Sequence, residues 1–187
     1  MFSSEWRPPV LETSRLLLRP FVEADAGPLF VQASNPNVTR FTLWDHHKCL
    51  ADTEMFVRDY AMCRYLEGVP EPYAVCLTKT GQVIGAVGCF WAAQPHRTME
   101  LGYWIGEAFW GQGLMAEACR AVVEYAFKAC EPERMQARVI VGNEPSTRVL
   151  QKIGFRFEGT LRSSLLRRGN LEDVMYFSLL KSELASL

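Results

Sequence analysis

The stretch from Glu100 to Ala118, ELGYWIGEAFWGQGLMAEA, joins a strand pattern to a helix pattern through a turn that holds two glycines. From Gly113 to Ala129, pairs of apolar residues recur every four positions, which predicts an amphipathic helix. The first N–H groups of a helix lack partners within it, and the helix dipole adds partial positive charge there. Gly111 and Gly113 permit backbone angles that curl these N–H groups inward. The turn is therefore typical of a phosphate cradle, although a tight strand-to-helix turn would use the same residues.

The composition predicts one domain over residues 1–187, with a core from about residue 11 to residue 182, because 49% hydrophobic residues suffice for one buried core. A net charge of -1 leaves no basic excess for nucleic acid or an anionic membrane, so we expect neither partner. The six cysteines are too widely spaced for a metal site, which predicts reduced core thiols and no metal. Without a signal peptide or a membrane-spanning stretch, we expect a cytoplasmic protein.

The remaining patterns predict a strand, two helices, three strands, a helix, a strand, a helix and two strands, which is an α/β mixed sheet. The segments before the glycine turn are SRLLLRPF as a strand, EADAGPLFVQAS and Ala51 to Glu67 as helices, and YAVCLT, QVIGAVGCFWAA and RTMELGYWI as strands. Those after the long helix are RMQARVIV as a strand, EPSTRVLQKIGF as a helix that stops at Gly154, and a closing hairpin turned near RGN.

ELGYWIGEAFWGQGLMAEA, followed later by NEPSTRVLQKIGF, resembles the GCN5-related N-acetyltransferases, the GNAT family, and within it the branch that acetylates ribosomal-protein N-termini. The opening LETSRLLLRPF and the ending RRGNLEDVMYFSLL also resemble that branch, so the resemblance covers nearly the whole chain. It implies the GNAT fold: a mostly antiparallel mixed sheet with a central parallel splay, flanked by about four helices. It also implies acetyl transfer from acetyl-CoA to a primary amine, in this branch the N-terminal α-amine of a protein or peptide.

The resemblance assigns acetyl-CoA to two parts of the chain. It places the pyrophosphate on backbone N–H groups of the glycine turn and the pantetheine amides on a strand end and the start of the next helix. The matching residues are Gln112, Gly113, Leu114, Met115 and Ala116 for the pyrophosphate, and Tyr103, Trp104, Ile105 and Asn143 for pantetheine. Asn143 is equally suited to cap a helix. Trp110 stands where the family commonly has Gln or Arg, and Met115 where it has Gly or Ala, which puts the fit near the phosphates in doubt.

Two residues match catalytic positions of the family. Glu100 matches the strand position of a general base, acting directly or through water, and is alternatively a solvated glutamate on an exposed strand face. Ser146 matches the serine near the CoA sulfur, where a hydroxyl can donate to the departing thiolate, and is alternatively an ordinary helix-start residue. Ser163 and Ser164 stand where the branch acting on the ribosomal stalk protein carries a glutamate. This difference argues against assigning the stalk protein to this chain as its substrate.

Other polar and aromatic residues leave the acceptor open. His46 and His47 could supply a base, although polar loop residues are the simpler interpretation. Trp44, Trp91, Trp104 and Phe41 would line an acceptor groove or simply pack in the core. An acidic pocket would favour a small-molecule amine, such as an antibiotic or polyamine, as the acceptor. Asp45, Asp52 and Glu54 leave this alternative open. A non-catalytic acyl-CoA-binding module is a further alternative, and the sequence fits a monomer or a homodimer equally.

Overall fold

The computed structural model describes residues 7–65 and 71–186. Eight strands form one sheet: β1 (Leu11–Glu12), β2 (Leu16–Pro20), β3 (Tyr73–Leu77), β4 (Val83–Ala93), β5 (Thr98–Ile105), β6 (Arg134–Ile140), β7 (Arg156–Arg167) and β8 (Asn170–Leu180). Their order across the sheet is β1-β2-β3-β4-β5-β6-β8-β7. The helices are α1 (Ala26–Ala33), α2 (Leu50–Met55), α3 (Met62–Arg64), α4 (Leu114–Cys130) and α5 (Glu144–Lys152). Short 3-10 turns span Glu23–Asp25, Gln94–His96, Glu107–Phe109 and Lys181–Ser186.

The sheet is antiparallel except between β5 and β6. These two strands pair in parallel over three positions only, from Thr98 opposite Arg134 to Glu100 opposite Gln136. Beyond that point β5 continues to pair with β4, and β6 continues to pair with β8. The two strands therefore diverge after Glu100, and the expected mixed, mostly antiparallel sheet with a central parallel splay is confirmed.

Helix α4 follows the apolar pattern that the sequence sets. The pairs at positions 114/115, 118/119, 122/123 and 126/127 are all buried, and they pack against the face of the sheet formed by β4 and β5. Helix α5 ends before Gly154, as expected, and the closing hairpin turns at Arg168 and Gly169, both at positive φ. The buried apolar pairs of α4 therefore hold this helix against the sheet, and the helix in turn fixes the position of the glycine turn.

The first strand and the second helix differ from the sequence interpretation. SRLLLRPF contains the expected strand as β2, but a short strand that was not expected, β1, precedes it, because a turn from Thr13 to Leu16 folds Leu11–Glu12 back antiparallel on β2. The expected helix from Ala51 contains a π-helical turn, Phe56–Ala61, that joins α2 to α3, and its last residues lie outside the described part. That turn brings Val57 and Ala61 inward and leaves Met55 and Tyr60 exposed, which explains the irregular apolar phase. With α2, the π turn and α3 counted as one, four helical segments flank the sheet.

The cysteines follow the expectation only in part. Cys76, Cys89 and Cys119 are buried thiols, whereas Cys49 and Cys63 are exposed. Burial raises the pKa of the Cys89 and Cys119 thiols well above the ordinary value. Within residues 7–65 and 71–186, no group of three metal-ligating side chains comes together, and no helix is long and apolar enough to cross a membrane.

Candidate active site

A cleft of about 880 Å³ opens where β5 and β6 diverge. Its walls come from β5, the start of α4, the start of α5 and the loop that follows α1. Most of the site residues expected from the sequence line it: Glu100, Tyr103, Trp104, Ile105, Gly113, Leu114, Met115, Ala116, Asn143 and Ser146. Gln112 does not line it. The topology thus gathers residues from three separate stretches of chain around the splay.

The glycine turn adopts the backbone that its sequence predicts. Gly111 has φ of 72° and Gly113 has φ of 75°, in the left-handed region where a side chain costs about 1–2 kcal/mol. Gly113 is the N-cap of α4, so the first N–H groups of a 17-residue helix follow it directly. The missing side chains therefore serve the backbone conformation and keep the helix start open.

Two cationic side chains flank this turn, and sequence reasoning did not find either of them. A Cβ at Gly113 would lie 3.5 Å from Lys152 Nζ and 3.7 Å from Arg15 Nη2. Lys152 ends α5, and Arg15 precedes β2, so no motif or periodicity relates them to the turn. Lys152, which lines the cleft, and the helix dipole give this end of the cleft positive charge, whereas Glu117 compensates the charge of Arg15.

Arg15 also holds the turn in place. Its Nη1 donates to the carbonyl of Gln112 at 2.9 Å, and its Nε donates to Glu117 Oε2 at 2.7 Å. Burial raises the pKa of the Glu117 carboxyl, but hydrogen bonds from Thr13 and Arg15 outweigh it and hold that pKa below its ordinary value. The Gln112 side chain donates to the carbonyl of Ala108 at 3.0 Å. Gln112 therefore braces the turn with its side chain and its carbonyl.

Glu100 is buried and paired, so the interpretation as a solvated glutamate on an exposed face is wrong. Its side chain is 10% exposed. Oε1 accepts from Arg138 Nε at 2.7 Å, and Oε2 accepts from Gln136 Nε2 at 2.9 Å. Both partners stand on β6, across the splay. A charge-assisted bond and a neutral one fix the carboxylate at the mouth of the splay.

Ser146 faces the cleft from the first turn of α5. Asn143 is the N-cap of this helix, and its Oδ1 accepts from the Ser146 backbone N–H at 3.3 Å. The capping role open to Asn143 is therefore present. The Ser146 hydroxyl lies 2.7 Å from the hydroxyl of Tyr103, which the sequence had marked for its backbone alone. Burial raises the pKa of the Tyr103 phenol far above its ordinary value.

Residues 15–156 match the family description of an acetyltransferase (GNAT) domain. The chain belongs to the GNAT family. The uncharacterized N-acetyltransferase YoaA of Bacillus subtilis (strain 168) is 34% identical over 173 residues, which cover 92% of this chain and 97% of the relative. The GNAT-family acetyltransferase structure from Bacillus anthracis matches with a TM-score of 0.84 and 25% identity, covering 94% of this chain and 100% of that one. The chain is therefore an N-acetyltransferase with the GNAT fold.

A more distant GNAT structure is that of RimL, a ribosomal α-N-protein acetyltransferase in complex with coenzyme A. It matches with a TM-score of 0.82 over 92% of this chain and 98% of that one. At 19% identity, this likeness shows the fold alone.

This GNAT enzyme departs from the family pattern at Trp110 and Met115 without disturbing the turn. The indole Nε1 of Trp110 donates to the carbonyl of Ile105 at 2.9 Å and so closes the connection from β5 to α4. Met115 is buried with the core stripe of α4. Both side chains have structural partners that leave the helix start accessible.

The aromatic and histidine candidates separate into two groups. Phe41 and Trp104 line the cleft of the enzyme, and Phe41 lies 3.9 Å from the Cβ position of Gly142. Trp44 packs edge-on against Trp104 at 5.2 Å between ring centroids but does not line the cleft. His47 Nδ1 lies 2.7 Å from Thr53 Oγ1, and burial lowers the pKa of the His47 imidazole. The other residues outside the cleft wall are His46, Trp91, Ser163 and Ser164.

Two arginines of the closing hairpin bond the loop that follows α1. Arg167 Nη1 donates to the carbonyl of Arg40 at 2.9 Å, and Arg168 Nε donates to Asp45 Oδ1 at 2.7 Å. Arg168 Nη2 also donates to the carbonyl of Thr39 at 3.1 Å. The hairpin thereby holds the loop that carries Phe41 against the cleft.

Proposed function

We propose that the cleft binds acetyl-CoA and that the enzyme transfers its acetyl group to the N-terminal α-amine of a protein or peptide. The observation that carries the proposal is the divergence of β5 from β6 directly after Glu100. It brings a buried carboxylate, an open strand edge and the Ser146 hydroxyl into one cleft.

The chemistry of the cleft walls fits a long, anionic thioester. At one end, the N–H groups that follow Gly113 and the cation of Lys152 suit a pyrophosphate. Along β5, residues 101–105 pair with β4 on one edge, and no strand within the described residues pairs with the other edge. Backbone groups on such an edge can hydrogen-bond pantetheine amides as an added strand would.

Acetyl transfer to an amine needs a neutral nitrogen and a stabilised leaving sulfur. When bound, acetyl-CoA supplies the activated acetyl thioester. Glu100 takes a proton from the ammonium form of the acceptor, directly or through water, and the neutral nitrogen then attacks the acetyl carbon. The carbon–sulfur bond breaks and its electron pair stays on sulfur, to which the Ser146 hydroxyl donates a hydrogen bond. The sulfur then takes up a proton to give the free thiol.

An α-amine is the acceptor that suits a single base best. A model α-amine has a pKa of about 7.7–8.0 against about 10.4 for lysine, so a larger fraction is already neutral at pH 7. The acids that favoured a polyamine or antibiotic acceptor lie outside the cleft wall. Asp45 pairs with Arg168, and Asp52 accepts from the backbone N–H groups of Lys48 and Cys49. Neither of these two acids is therefore placed to bind a polycation in the cleft.

The test is a transfer assay with acetyl-CoA and a panel of acceptors, read by thiol release and by mass spectrometry of the acceptor. The panel holds peptides with free α-amines, the same peptides with blocked N-termini, and small amines including a polyamine and an aminoglycoside. We expect transfer to the free α-amines and none to the blocked peptides. Exclusive transfer to small amines would replace the proposed acceptor, and binding without any transfer would favour an acyl-CoA-binding module.

A further inference from the structure

The hydroxyl of Tyr103 crosses the cleft to reach Ser146. Tyr103 Oη lies 2.7 Å from Ser146 Oγ and 3.2 Å from the Ser146 carbonyl oxygen. Tyr103 stands on β5 and Ser146 on α5, 43 residues later. We infer that Tyr103 is a positioning residue that directs the hydrogen of the Ser146 hydroxyl toward the leaving sulfur. This inference rests on the proposed acetyl transfer.

The inference depends on the direction of the hydrogen bond between the two hydroxyls. A phenol and a serine hydroxyl each carry one hydrogen, so only one of them can donate along the line that joins them. Burial of Tyr103 raises its pKa, so the phenol keeps its hydrogen across the physiological pH range. The phenol can donate to Ser146 Oγ at 2.7 Å or to the Ser146 carbonyl at 3.2 Å, because a carbonyl keeps a second lone pair when it accepts within a helix. The inference takes the shorter contact, in which the phenol donates to Ser146 Oγ.

This arrangement leaves the serine hydrogen available. Tyr103 is the one hydrogen-bonding partner of the Ser146 hydroxyl within residues 7–65 and 71–186. The hydroxyl does not cap α5, because Asn143 fills that position. Because Oγ accepts from Tyr103, the serine hydrogen is directed away from Tyr103. Ser146 lines the cleft, so this hydrogen is available to a group bound there. The pair thus presents a polarised donor rather than a freely rotating hydroxyl.

The tyrosine ring has a separate structural role that a phenylalanine would keep. The ring packs against the core cluster formed by α4 and the sheet. Tyr103→Phe therefore removes the donor and preserves most of the packing. Tyr65→Phe is the matched control, because the Tyr65 hydroxyl is also buried and hydrogen-bonded, to the carbonyl of Pro72 and the N–H of Phe21, away from the cleft.

The experiment is a double-mutant cycle of Tyr103→Phe and Ser146→Ala, with kcat and KM measured for the α-amine peptide found in the transfer assay. CoA affinity is measured separately by calorimetry. Tyr103→Phe should lower kcat about tenfold, the scale of one hydrogen bond, and leave CoA affinity within twofold. In the Ser146→Ala background the same change should have no further effect, because Tyr103 acts only through Ser146. Tyr65→Phe should unfold at a lower temperature yet keep its kcat per folded molecule.

Four outcomes would overturn the inference. A kcat unchanged by Tyr103→Phe removes the positioning role, and an equal tenfold loss in both backgrounds assigns Tyr103 a role independent of Ser146. A wild-type protein that transfers acetyl to no amine would instead refute the proposed function, and this inference with it. A loss of CoA affinity in Tyr103→Phe that accounts for the whole effect would make the hydroxyl a binding group.

Discussion

Arg138 Nε donates to Glu100 Oε1 at 2.7 Å, at the position where β5 and β6 cease to pair. The guanidinium and Gln136 together occupy both carboxylate oxygens, so Glu100 is held in one orientation before any acceptor binds. A base on a rigid strand with locked partners needs little reorganisation during the reaction. The ion pair therefore orients the proposed base, while its remaining lone pairs are left for a proton or a bridging water.

Glu100→Gln should lower kcat/KM for an α-amine peptide by about 10²–10⁴ at neutral pH, the usual contribution of a general base. Glutamine keeps the size and can still accept from Arg138, so CoA affinity should change little. The loss should shrink as the pH rises through the amine pKa of about 8, because the substrate then arrives neutral. Glu124→Gln, an exposed change on α4, is the control. Near wild-type activity of Glu100→Gln across this pH range would show that another group, or bulk water, takes the proton.

Gly113→Ala should weaken CoA binding strongly, because the added methyl group stands at the helix start, 3.5 Å from Lys152 Nζ. Gly81→Ala is a matched control, since Gly81 has φ of 71° and open space around its Cβ in the turn between β3 and β4. Both variants should lose about 1–2 kcal/mol of unfolding free energy to backbone strain. Calorimetry should detect lower CoA affinity only for Gly113→Ala. Equal CoA affinity in the two variants would remove the pyrophosphate from this turn.

Lys152→Met should reduce CoA affinity about tenfold at low salt, because it removes a cation beside the glycine turn while keeping the length of the side chain. The difference from wild type should shrink at 1 M salt, where the Debye length is about 3 Å. Lys128→Met, in the last turn of α4, is the control of the same kind. A loss that does not depend on salt, or one shared by Lys128→Met, would argue against a direct role for the Lys152 charge.

The sequence reveals the elements whose signals are local. The four-residue period of α4 and the positive-φ need of Gly113 lie within short windows, and the structure matches both of them. The expected cleft residues also follow from motifs within two such windows. Gln112 does not line the cleft and its side chain bonds the Ala108 carbonyl, whereas the expectation for it concerned its backbone N–H.

The partners of those residues could not be found in the same way. Arg138 lies 38 residues from Glu100, Ser146 lies 43 from Tyr103, and Glu117 lies 102 from Arg15. Such pairs arise only when the sheet order brings distant segments together, and a single sequence carries no periodic trace of them. The π turn inside the second helix is also missed, because one extra residue per turn shifts the apolar phase that a helix template assumes.

Glu158 offers a test of how the half of the sheet beyond the splay is stabilised. Because β6 pairs with β5 over three positions only, few backbone contacts join strands β6, β8 and β7 to the rest of the sheet, and their own pairing is far longer. Glu158 on β7 bonds Arg134 on β6 and also accepts from Ser178 Oγ on β8 at 2.6 Å, so the contact spans all three strands. The bond from Arg134 lowers the pKa of Glu158 to about 2 from an ordinary 4.5.

A carboxyl whose pKa is lowered by folding stabilises the fold above its unfolded pKa, and that contribution disappears as the pH falls toward its folded pKa. Glu158→Gln should therefore be less stable than wild type at pH 7, and the gap should close between pH 4.5 and about 2. The Glu158 side chain is 42% exposed, which limits the gap to about 1 kcal/mol. Urea unfolding at pH 7 and at a series of lower pH values measures the difference in unfolding free energy between wild type and Glu158→Gln. Glu124→Gln is the control. If wild type and Glu158→Gln lose stability in parallel through that range, this ion pair does not support the distal half of the sheet.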